Sequence, residues 1–116
     1  MKKDYRLYID DIVNSSKNIL EYTKGLNLDE FAKDKKTVDA VIRNLEIIGE
    51  ASKHIPEDLK EKYPRIPWHA ISGMRNKVIH EYFGVDYGII WKTVTEKIPN
   101  LVKELVGIIE ETEEGK

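Results

Sequence analysis

Thr37-Val38-Asp39-Ala40-Val41-Ile42-Arg43-Asn44-Leu45-Glu46-Ile47-Ile48-Gly49-Glu50-Ala51-Ser52 carries a clear helical period. Val38, Val41, Ile42, Leu45, Ile48 and Ser52 recur three and four residues apart, which lays them along one face of an α-helix. Arg43, Glu46 and Glu50 fall between them on a polar face. Thr37 reads as the N-cap of this helix and Pro56 as its close.

The same period extends in both directions. Upstream, Tyr5, Tyr8, Ile9, Ile12, Ser16, Ile19, Leu20 and Thr23 form a second stripe that Gly25 ends, and Leu28 to Ala32 allow one short turn. Downstream, Pro56, Pro64 and Pro67 bracket a short helical turn around Glu57 to Lys62. Pro67 suits the first turn of a further helix through Trp68, Ile71, Met74, Arg75, Val78, Ile79 and Tyr82, stopping near Gly84. Asp86 then caps a last helix, in which Ile90, Trp91, Val94, Ile98, Leu101, Leu105, Ile108 and Ile109 keep the helical period across Pro99. A proline there predicts a kink or a short break. Residues Glu110 to Lys116 are acidic and are expected to fray. No stretch alternates apolar and polar at strand length, so the fold class is all-α.

Composition narrows the function classes. A chain of 116 residues, 41% hydrophobic and 34% charged, fits one globular domain spanning 1–116. Cysteine is absent, which excludes disulfides, thiolate metal sites and cysteine nucleophiles, and points to a cytoplasmic protein. No apolar run nears the roughly 20 residues of a membrane span, and Met1-Lys2-Lys3-Asp4 leads into a charged segment, so neither secretion nor membrane insertion is expected. A net charge of −2 argues against a general nucleic-acid coat protein, although 19 basic residues suffice for a local patch.

The chemistry concentrates at Arg75-Asn76-Lys77-Val78-Ile79-His80-Glu81-Tyr82. On a helix, Asn76 and His80 stack on one face, and Arg75 and Tyr82 on the adjoining one. Arg75 and His80 stand about 140° apart around the axis, so one helix brings them together only through a curled arginine, or a second copy supplies the other group. Cleavage of RNA through its 2′-hydroxyl needs a proton acceptor, a proton donor and positive charge on the transition state. Imidazole titrates near neutrality and guanidinium matches two phosphate oxygens, so His80 and Arg75 supply all three without a metal, with Asn76 as an orienting group. From composition alone, an exposed histidine beside an unrelated arginine on a packing helix is the commoner reading of the same four residues, because an arginine and a histidine five apart occur by chance in many helices.

The segment resembles the motif of the HepT-like branch of the HEPN superfamily, Arg-Asn-x3-His-x-Tyr, and matches it at every position from Arg75 to Tyr82. Ile48-Gly49-Glu50-Ala51, Ile66-Pro67-Trp68, Gly73-Met74 and Phe83-Gly84-Val85-Asp86 are similar to that branch as well. The resemblance implies a helical bundle of four to five helices, a homodimer with paired active sites in its cleft, and ribonuclease activity of Arg75 and His80 without cofactors. It further implies a toxin of a two-gene system whose partner, a minimal nucleotidyltransferase, silences it by adenylylating the motif tyrosine, here Tyr82. Two other readings use the same residues: a dimeric module that binds nucleotide or the nucleotidyltransferase without cutting RNA, and a plain helical adaptor.

Other features carry less. Arg43, Glu46, Glu50 and His54 share a helix face and either line the cleft opposite the motif or form a solvated charged surface. His54, His69 and His80 show no metal-ligand spacing, so no metal is expected. Lys33, Lys35 and Lys36 read as a soluble loop, and Trp68 and Trp91 as core residues.

Overall fold

The computed structural model describes residues 3–73 and 87–114, and among these residues it contains helices and no strand. The elements are α1 (Lys3–Thr23), α2 (Leu28–Lys33), α3 (Lys35–Ser52), α4 (Glu57–Lys62), a helical segment over residues 68–73, α5 (Tyr87–Lys92), a π-helical turn (Thr93–Lys97) and α6 (Ile98–Glu114). The all-α expectation holds.

α1 and α3 form the central pair, and α6 lies against α1. Their stripes meet in one core. Ile9, Ile12 and Ile19 of α1, Val41, Leu45 and Ile48 of α3, and Ile98, Leu105 and Ile108 of α6 are all buried there. Each such side chain is worth about 1.5–3 kcal/mol on removal from water. Phe31 extends the core from α2. It is fully buried, and its ring tilts against Trp91 of α5 with centroids 5.1 Å apart. This contact explains why a helix of only six residues is formed. It is too short to persist alone, but a capping box between Asn27 and Glu30 closes its start while Phe31 anchors it.

Helix boundaries follow local chemistry. Gly25 has φ of +80°, the left-handed conformation that turns the chain after α1. The N-cap of α3 is Asp34 rather than the expected Thr37: the Asp34 carboxylate accepts from both the backbone N–H and the hydroxyl of Thr37. Thr37 is the third residue of the helix, where its two donors meet a cap instead of serving as one. Pro56 does not end α3 directly; a turn follows Ser52, and Pro56 is the N-cap of α4.

Pro99 brings no break. α6 continues through it, and the adjustment lies just upstream, in the π-helical turn at Thr93–Lys97. Pro99 has no N–H for the carbonyl of Thr95, and its ring crowds that carbonyl. Widening the turn lets the Ile98 N–H bond to the Thr93 carbonyl instead. The hydroxyls of Thr93 and Thr95 donate to the carbonyls of Ile89 and Trp91, so polar groups of the widened turn find partners one turn back. The helix stop near Gly84 and the Asp86 cap lie outside the described residues.

Candidate functional site

Arg75, Asn76, His80 and Tyr82 lie outside the described residues; what the structure describes is the approach to them. Ile66 and Trp68 are buried, and the Trp68 indole N–H donates to the Tyr63 carbonyl at 3.1 Å. The Pro67 carbonyl accepts from the N–H of Ile71, which opens the helical segment at 68 as the Pro67 reading requires. Ile71 is buried. Next to it, the Ser72 hydroxyl lies 2.9 Å from that of Ser52, itself fully buried and bonded to the Gly49 carbonyl. The hydroxyl pair ties this segment to α3, while Trp68 and Ile71 are buried in the core. A buried polar contact of this kind sets a helix's rotation more narrowly than apolar packing does.

The α3 residues read as possible cleft lining are brought together. Arg43, Glu46 and Glu50 line a hollow of about 340 Å³ with His54, and α1 closes it with Tyr8 and Asp11. The Tyr8 and His54 rings stack at 4.5 Å between centroids and 14° between planes. Arg43 and Glu46 approach to 3.9 Å, with Arg43 73% exposed and Glu46 30% exposed. A pair this open contributes at most about 0.5 kcal/mol, so the two side chains stay available to other partners. Tyr8 and Asp11 were not singled out as site residues by the sequence. The available signal was their spacing of three on α1, which puts them on one face. Among the described residues no group of three or more His, Asp or Glu side chains is arranged to hold a metal ion. No helix of the described residues is long and apolar enough to cross a membrane.

Comparison with known proteins shows the family. The model of the family described as "Ribonuclease HepT-like" matches residues 12–108, a span that includes the whole of Arg75 to Tyr82. The chain belongs to the HepT-like family. It is 50% identical over 112 residues to a protein of Methanocaldococcus jannaschii named "Putative RNase", covering 97% of this chain and 93% of that one. It is 52% identical over 101 residues to the "Probable ribonuclease HepT" of Thermococcus cleftensis, covering 87% and 92% of the two chains. A "Putative RNase" of Caldanaerobacter subterraneus is 44% identical over 108 residues, covering 93% and 96%. No solved structure matches. The HepT-like match runs through α3, the prolines of the linker and most of α6, so it embraces the hollow's α3 wall as well as the motif.

Proposed function

We infer that this chain is a metal-independent endoribonuclease that acts as a homodimer and as the toxin of a two-gene system. One observation carries the reading: the complete series Arg75, Asn76, His80, Tyr82 at family spacing, within a HepT-like match over residues 12–108. His80 takes the proton of the ribose 2′-hydroxyl, and the freed oxygen attacks the adjacent phosphorus. The bond from phosphorus to the 5′-oxygen breaks, and that oxygen receives a proton from the partner protomer's histidine or from water. The products are a 2′,3′-cyclic phosphate and a 5′-hydroxyl. Arg75 stabilises the charge on the equatorial oxygens, and Asn76 holds the imidazole or a phosphate in place.

Tyr82 serves as the regulatory handle. A minimal nucleotidyltransferase antitoxin transfers an adenylyl group from ATP: a bond forms between the phenol oxygen and the α-phosphorus, and pyrophosphate leaves. The added charge of about −1 offsets Arg75, seven residues away in the sequence, and the nucleoside fills the space of a substrate phosphate.

Purified protein incubated with tRNA or total RNA in EDTA tests the ribonuclease; fragments ending in 2′,3′-cyclic phosphate are expected, and intact RNA overturns it. Mass spectrometry after coexpression with the partner tests the switch. A gain in multiples of one adenylyl unit, lost in Tyr82→Phe, is expected. An unmodified Tyr82 in a neutralised toxin makes steric blockade by the partner the better account.

A further inference from the structure

The hollow between α1 and α3 has no part in the chemistry assigned to Arg75 and His80. Its walls hold three kinds of group. The stacked rings of Tyr8 and His54 make a flat plate, and His54 is its exposed member. Asp11, Glu46 and Glu50 bring carboxylates, and Arg43 brings a guanidinium at the rim. At about 340 Å³ the space is within the range of small-molecule sites.

A plate, a carboxylate and a guanidinium are the requirements of one nucleotide: a surface for the base to stack on, an acceptor for its edge, and a cation for its phosphate. The carboxylate chooses the base. Guanine has two neighbouring N–H donors on its Watson–Crick edge, N1 and N2, which one carboxylate accepts together. Adenine and cytosine set one amino group beside a ring-nitrogen acceptor, and uracil sets one imino group between two carbonyls, so each offers a carboxylate one hydrogen bond where guanine offers two. A bare phosphate would engage Arg43 alone and leave the stacked rings and the Glu46 carboxylate unused. A basic peptide fits less well than a nucleotide, because Arg43 already places a cation on the rim beside Glu46.

We propose that this hollow binds a guanosine nucleotide of single-stranded RNA, with Glu46 reading the base edge, the Tyr8 and His54 plate stacking the base, and Arg43 meeting its phosphate. In taking RNA as the source of the nucleotide, the proposal rests on the ribonuclease reading.

An NMR titration of the ¹⁵N-labelled full chain with GMP, AMP, CMP and UMP, and separately with argininamide, tests it. GMP alone is expected to give saturable shifts at the amides of Tyr8, Asp11 and His54. Glu46→Gln, which turns an acceptor into a donor, is expected to weaken GMP binding by about tenfold or more. His54→Ala provides a second variant at an exposed position, and the variants' own spectra report that they are folded. Equal shifts with all four nucleotides would reduce the hollow to a phosphate contact at Arg43 and overturn the proposal. Shifts with argininamide but not GMP would assign it to a basic protein segment and overturn it as well. So would no shifts at all, or undiminished GMP binding by Glu46→Gln. The two readings fail separately: RNA cleavage without GMP selectivity removes the guanosine site alone, and GMP-selective binding without RNA cleavage removes the ribonuclease alone.

Discussion

Asp34 shows how one side chain sets an element's start and gives it a pH dependence. Its carboxyl is held below the usual carboxylate range, first by the hydrogen bond from the Thr37 hydroxyl and then by the Thr37 backbone N–H. A depressed folded pKa means that the contribution is fully present above the unfolded value of about 3.9 and is lost as pH falls through the lowered folded value. Asp34→Asn keeps an N-cap acceptor but removes the titration. Acid titration of melting temperature is therefore expected to fall less steeply below about pH 4 in Asp34→Asn than in the natural protein. The same residue marks a limit of sequence reading. Asp34 and Thr37 are both good caps three residues apart, and a cap that also accepts from its third residue's hydroxyl outcompetes that residue as a cap. At the candidate site, spacing alone shows that Arg43, Glu46, Glu50 and His54 share a face. It does not show that Tyr8 and Asp11 face them across the interhelical gap, because that depends on the rotation of α1 against α3.

At the scale of elements, the long stripes were legible because each α-helix buries one continuous face. Val38, Val41, Ile42, Leu45, Ile48 and Ser52 are all buried as their spacing requires. Pro99 was legible only as a disturbance. Whether a proline kinks, breaks or widens a helix depends on whether neighbouring carbonyls find new donors, and here the Ile98 N–H and two threonine hydroxyls serve the widened turn. α2 depends on a contact far away in sequence, Phe31 against Trp91. Phe31→Ala removes a fully buried ring at the junction of α2, α3 and α5. It is expected to cost about 3–5 kcal/mol in denaturant unfolding. A loss below about 1 kcal/mol would mean that α2 is packed loosely on the bundle.

For the whole molecule, the proposed chemistry needs a second copy. A helical spacing of the sequence from Arg75 to His80 would set the two about 140° apart, so the proposed composite site draws its groups from two protomers. Sedimentation equilibrium at micromolar concentration is expected to give a mass near two chains of 13.5 kDa; a mass near one chain counts against paired sites. The family itself was legible because its motif is contiguous, Arg75 to Tyr82, and needs no tertiary information to recognise. Whether the imidazole of His80 cuts RNA is decided by comparing RNA cleavage in EDTA by His80→Ala and by the unaltered protein. Cyclic-phosphate fragments are expected from the unaltered protein and none from His80→Ala at an unchanged melting temperature; fragments in equal yield from both would remove His80 from the reaction.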